Sequence, residues 1–91
     1  MKCVQLRITG KVQGVWYRRW TVGQAKALGL NGWVRNRQDG SVEALVYGPA
    51  DQVDALIAAC HDGSPKARVE SVTATPAEPE PVTGFQQRPT L

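Results

Sequence analysis

Along this chain the spacing of apolar residues switches repeatedly between two and about 3.6, and the order of the switches leaves few folds open. From Cys3 to Thr9, Val4, Leu6 and Ile8 alternate with Gln5, Arg7 and Thr9, the pattern of a strand with one buried face. Tyr17, Thr21, Ala25 and Leu28 then recur at helical intervals between about Trp16 and Leu28, and Gly29 supplies a natural helix stop. Trp33 to Asn36 reads as a short strand. Arg37-Gln38-Asp39-Gly40 forms a hairpin loop, and the chain returns through Ser41–Tyr47 with Val42, Ala44 and Val46 on one face. Val53, Leu56, Ile57 and Cys60 make the apolar stripe of a second helix. Pro49 opens it from a first-turn position, Asp51 lies near its positive end, and Gly63 closes it. A fourth strand follows around residues 67–75, where the apolar phase slips between Val69 and Val72 and implies a bulge. Pro76, Pro79 and Pro81 break any regular element and read as a loose loop, after which a short fifth strand is placed at Phe85–Arg88.

The order β-α-β-β-α-β is a split pair of βαβ units. It predicts an α+β, ferredoxin-like two-layer sandwich, with an antiparallel sheet and both helices on one face. Ninety-one residues suffice for one domain, residues 1–91, with one modest core. No stretch approaches the roughly 20 apolar residues of a spanning helix, and polar residues interrupt Met1–Arg7 before a signal-type run can develop. A cytoplasmic protein with no membrane partner is therefore expected. Cys3 and Cys60 form no C-x-x-C pair, which argues against zinc and thioredoxin-like sites. They also fall on opposite sides of the sheet, so no disulfide is expected.

The formal charge is only +3, but Lys11, Arg18, Arg19, Arg35 and Arg37 are concentrated in two short segments. Brought together, those segments would make a positive mouth for an anion. In the first, Gly10-Lys11-Val12-Gln13-Gly14-Val15-Trp16-Tyr17-Arg18, a strand ends in a glycine-bracketed loop and a helix begins with an arginine in its first turn. Such a loop can aim several free backbone N–H groups at one point, reinforced by the helix's positive end. Arg18 adds a planar fork of donors that matches phosphate oxygens. In the second, Gly32-Trp33-Val34-Arg35-Asn36, the asparagine sits where a strand meets a hairpin. An asparagine there can cap its own turn, so a structural and a catalytic role both stay open for Asn36 on the residues alone.

Together the two segments closely resemble the acylphosphatase family. The first has the form Gly-x-Val-Gln-Gly-Val-x-Phe/Tyr-Arg, and the second has Gly-Trp-Val-x-Asn, with glycine four residues after the asparagine. Pro65, Ala67, Arg68 and Val69 resemble a third family segment, and the resemblance runs from Cys3 to Phe85. It implies the same sandwich and a hydrolase that cleaves small acyl phosphates to carboxylate and inorganic phosphate. It further implies a phosphate-binding arginine at Arg18 and a catalytic asparagine at Asn36 that places the attacking water. The phosphate cradle it implies is formed by Gln13, Gly14, Val15, Trp16, Tyr17 and Arg18, mostly through main-chain N–H groups. Trp16 stands at a variable position that is often smaller, and Arg19 directly follows the signature arginine.

The single histidine, His61, falls near the end of the second helix and has a surface role. The sequence holds no metal-ligand cluster and no nucleophile elbow, so neither metal nor cofactor is expected. Acyl phosphate hydrolysis suits such a site, because the carboxylate leaves as a stable anion without a strong general acid. Two rival readings share the topology. A nucleic-acid module would need aromatics on the open face of the central strands, where the first strand offers Cys3, Gln5, Arg7 and Thr9, and only Tyr47 of the third strand could serve. A non-catalytic anion-binding or regulatory module would keep the anion site without the chemistry. With no further domain after Leu91, the chain reads as a free-standing monomeric hydrolase whose partners are a small acyl phosphate and inorganic phosphate.

Overall fold

The computed structural model describes residues 1–91. Val4, Leu6 and Ile8 form the buried face of β1 (Lys2–Lys11). After the loop comes α1 (Tyr17–Ala27), whose buried side is Tyr17, Thr21 and Ala25. A hairpin of β2 (Asn31–Asn36) and β3 (Val42–Gly48) follows, then α2 (Ala50–Asp62), β4 (Arg68–Pro76) and β5 (Phe85–Gln87). The sheet order is β4-β1-β3-β2-β5, with every pairing antiparallel except β2 with β5. The apolar face of the strands, with Val34, Val42, Ala44 and Val46, joins Val53, Leu56 and Cys60 of α2 and Tyr17 and Ala25 of α1 in one core. Phe85 closes that core from β5, opposite Gly32. This is the α+β ferredoxin-like sandwich that the periodicity predicts. No helix is long and apolar enough to cross a membrane.

The phase slip in β4 is a bulge. Thr9 faces Ser71 but Gly10 faces Val69, which leaves Glu70 without a partner residue. The extra residue pushes the β4 backbone against Gly10, whose φ is +119°; a Cβ there would lie 2.2 Å from the Arg68 carbonyl oxygen. Only glycine fits this crossing.

Two expectations need correction. Pro49 stands one place ahead of the first turn of α2: its ψ of 137° keeps it outside the helix, while its carbonyl accepts the first helical bond from Val53 at 3.0 Å. The proline-rich stretch is also not loose. It crosses the open face of the sheet, where the Trp33 indole donates to Glu80 Oε1 at 3.2 Å and the Tyr47 hydroxyl donates to the Glu80 carbonyl at 2.9 Å. The loop is fastened at its far end by Gly84, whose N–H donates to Asn31 Oδ1 at 2.8 Å. Polar and aromatic side chains of the sheet anchor the prolines, which alone would give only local stiffness.

The same crossing changes the picture of the open face. Trp33 and Leu45 are cross-strand partners there, and both are buried. Trp33 also has the Arg35 and Arg88 guanidiniums over its ring at 4.5 and 4.9 Å. The open face thus carries two aromatics, Trp33 and Tyr47, and both are engaged within the protein.

Candidate active site

The loop after β1 turns sharply because two of its residues are left-handed: Gly14 with φ 72° and Trp16 with φ 65°. Trp16 alone among the non-glycine residues has a positive φ. Such a conformation costs about 1–3 kcal/mol and persists only where the surroundings impose it. Here the ties are visible. The Gln13 side-chain amide donates to the carbonyls of Arg37 and Ser41 at 2.7 and 2.8 Å, pinning the loop to the hairpin. Val15 is buried, and its carbonyl accepts from Ser64 Oγ at 3.3 Å. The buried Tyr17 hydroxyl donates to the Cys60 carbonyl at 2.9 Å, locking the start of α1 to α2.

The result is a concentration of unused donors. The first backbone bond of α1 runs from Trp20 N–H to the Trp16 carbonyl, and no side chain caps the helix. The N–H groups of residues 14–19 therefore have no acceptor within the protein. No acidic side chain sits in the first turn to answer the helix's positive end. This is the backbone arrangement that receives an anion.

An open cavity of about 540 Å³ lies over these donors, lined by Val12, Gly14, Trp16, Tyr17, Arg18, Arg19, Asn36 and Gln87. The Arg18 guanidinium is steered by the C-terminal segment, since Nη1 donates to the Arg88 carbonyl at 3.2 Å. The ion pairs of the protein involve Lys2, Arg7, Arg35, Arg37 and Arg88, leaving Arg18 and Arg19 without a carboxylate.

Asn36 enters the cavity from the end of β2. Its Oδ1 is the one buried side-chain oxygen or nitrogen that finds no hydrogen-bond partner in the protein. Such an atom calls for a reason, because an unpaired buried acceptor costs about 1–3 kcal/mol. Turn capping is not the reason, since Asp39 performs it. Ser41 donates to Asp39 Oδ1 through both its N–H, at 2.9 Å, and its hydroxyl, at 2.6 Å. Those bonds, the hydroxyl's first, hold the Asp39 carboxyl below its ordinary range, with Arg7 and Arg37 assisting. Asn36 thus lines the same cavity as Arg18 while its buried Oδ1 keeps an unused acceptor.

Of the residues singled out in the sequence, Gly14, Trp16, Tyr17, Arg18 and Asn36 meet at this cavity. The side chains of Gln13 and Val15 turn away from it, to the hairpin and the core respectively. Val12 and Gln87 also line it. Gln87 arrives through the parallel pairing of β5 with β2, opposite Val34, and no local pattern in the sequence points to it.

The expected positive mouth is smaller than the five clustered cations suggest. Only Arg18 and Arg19 line the cavity. Arg35 points to the other face of the sheet, because odd-numbered residues of β2 face away from the core, and there it binds Glu43, which also pairs with Arg37 just beyond the strand. Arg35 Nε donates to Glu43 Oε1 at 2.7 Å in a pair that is largely shielded from solvent. Burial by itself would raise the Glu43 pKa, but the hydrogen bonds and charges of Arg35 and Arg37 outweigh it and hold the carboxyl below its ordinary value. A depressed folded pKa gives stability that is present above the unfolded value of about 4.5 and is lost as the pH falls through the folded value. We expect Glu43→Gln to cost about 1–2 kcal/mol at pH 7. Thermal unfolding across pH should show the two proteins converging on acidification below the ordinary glutamate range. A constant gap down to strong acid would deny the charge its role.

The two thiols are free. Burial pushes the Cys60 thiol up to about 11, and it raises the Tyr17 phenol as well, so both stay protonated and serve packing. The chemistry of the cavity is thus one of backbone donors, the guanidiniums of Arg18 and Arg19, and one unpaired amide oxygen.

Fold and site together define a small ferredoxin-like α+β protein with a loop of unpaired N–H donors between its first strand and first helix. The acylphosphatase family model matches residues 4–87. The acylphosphatase of Rhodospirillum rubrum is 56% identical over 91 residues, which span the whole of both chains. The crystal structure of acylphosphatase from Bacillus subtilis superposes with a TM-score of 0.93 at 32% identity, covering 97% of this chain and 99% of that one. An acylphosphatase from Coxiella burnetii gives a TM-score of 0.91 at 33% identity, covering 96% and 92%. The chain belongs to the acylphosphatase family.

Proposed function

We propose that this protein hydrolyses the carboxyl–phosphate bond of small acyl phosphates, with Arg18 and the loop N–H groups holding the phosphate and Asn36 placing the water. The observation that carries the assignment of roles is the buried, unpartnered Oδ1 of Asn36, a residue that lines the same cavity as an arginine without a carboxylate partner. The phosphate's non-bridging oxygens accept bonds from the N–H groups of Gly14, Val15, Trp16, Tyr17 and Arg18 and from the Arg18 guanidinium. Gln13 acts on this cradle by fixing its shape from the hairpin side.

A water that donates to Asn36 Oδ1 is held in line with the bond to be broken. Its oxygen attacks phosphorus, the bond from phosphorus to the acyl oxygen breaks, and the electron pair leaves on the carboxylate. The water's proton passes to a phosphate oxygen, so the products are carboxylate and inorganic phosphate. Phosphoryl transfer depends mainly on alignment and on neutralising the equatorial oxygens, and fixed donors in a partly enclosed site supply the second. The cavity is lined by no carboxylate, histidine or thiol, the donor set expected of a reaction that proceeds without a metal.

Purified protein should hydrolyse acetyl phosphate rapidly with EDTA present, and inorganic phosphate should inhibit competitively. Inactivity toward acyl phosphates, or a rate restored only by a divalent ion, would contradict the proposal. We read the chain as a single domain acting as a cytoplasmic monomer on a small molecule. The engagement of Trp33 and Tyr47 by the 77–84 loop argues against the rival in which bases stack on the sheet.

A further inference from the structure

A second concavity, of about 480 Å³, adjoins the first and shares Trp16 and Arg19 with it as a common wall. It lies between the start of α1 and the loop ahead of β4, where Trp16, Trp20 and Pro65 supply flat apolar surface and Arg19 and Lys66 supply charge. No acidic residue lines it. Trp16 is its unusual member. This side chain is 68% exposed and takes no part in the core, yet it is held in a left-handed backbone conformation with the Arg19 guanidinium 5.9 Å from its ring centre.

We infer that this groove is the subsite for the acyl group, and that it selects acyl phosphates whose acyl part is a flat apolar group of aromatic size. The inference rests on the phosphate-site reading above. In an in-line displacement the leaving group departs opposite the attacking water. Asn36 lines the first cavity and not the groove, whereas Trp16 and Arg19 line both, so the groove offers the acyl group a path past Trp16 and away from the Asn36-held water. There Trp16 and Trp20 offer faces for an aromatic ring. Arg19, at the junction of the two concavities, stands beside the carboxylate as its negative charge develops.

The test compares kcat/KM for benzoyl phosphate and acetyl phosphate, each divided by its uncatalysed rate, on the same preparation. Their leaving carboxylates differ little in basicity, and the ratio is independent of the folded fraction, so it reads recognition of the acyl group. The wild-type protein should favour benzoyl phosphate about tenfold, the scale of one good aromatic contact with its buried area. Trp16→Ala should bring the ratio to within about twofold of one, and Trp16→Phe should keep most of the preference. Hydrolysis of both substrates with a wild-type ratio near one, or with a ratio that Trp16→Ala leaves unchanged, would overturn the subsite while leaving the proposed reaction intact. Failure of the wild-type protein to hydrolyse either substrate would instead overturn the reaction itself.

Discussion

Arg18→Ala should lower kcat/KM for acetyl phosphate by on the order of 10³-fold or more, the range seen when an arginine that neutralises a transferring phosphoryl group is lost. Inhibition by inorganic phosphate should weaken in parallel, because the same fork holds substrate and product. The fold should survive. Arg18 is only partly buried, belongs to no ion pair, and its side chain donates one hydrogen bond, to the Arg88 carbonyl. Arg18→Lys should recover little, since a point charge cannot supply two parallel donors to a phosphate. An alanine variant with near-normal turnover and phosphate inhibition would remove Arg18 from the mechanism and leave the cradle to the loop N–H groups alone.

Most of this architecture is legible in the sequence, because one-sided burial forces the apolar residues into periods of two and 3.6. Val4, Leu6 and Ile8, then Val42, Ala44 and Val46, then Val53, Leu56 and Cys60 are all deeply buried where that logic places them. The bulge in β4 is legible too, as a slip of phase between Val69 and Val72. What local pattern does not carry is long-range placement. The path of residues 77–84 over the sheet depends on Trp33 and Tyr47 reaching Glu80, contacts between distant segments that proline content does not announce. Gln87 and the Arg88 carbonyl reach the site only because β5 pairs in parallel with β2.

Charge is legible as clustering but not as direction. Arg35 and Arg18 look alike in the sequence, yet the pleat of β2 sends Arg35 to Glu43 on the open face, while α1 sends Arg18 to the cavity. Asn36 shows the same limit. Its position at a strand end suits a turn cap as well as a catalytic acceptor, and only the structure shows which side chain ties the hairpin. Asp39 does so, and Asn36 Oδ1 stays unpaired.

In the proposed mechanism this oxygen holds the attacking water, and Asn36→Ala removes it. On one preparation, kcat for acetyl phosphate, the inhibition constant of inorganic phosphate and the melting temperature are determined together. Losing an aligning hydrogen bond of this kind should lower kcat by on the order of 10²-fold or more. Phosphate should still inhibit near its wild-type concentration, because Arg18 and the loop donors are untouched. The melting temperature should hold or rise, since the substitution removes an acceptor that the folded protein leaves unsatisfied. Asn36→Asp should not rescue turnover, as a new carboxylate would repel the phosphate. A severe loss of kcat with phosphate binding and stability retained is the predicted result. Near-normal kcat with a lowered melting temperature would contradict the account and make Asn36 a structural residue of the hairpin.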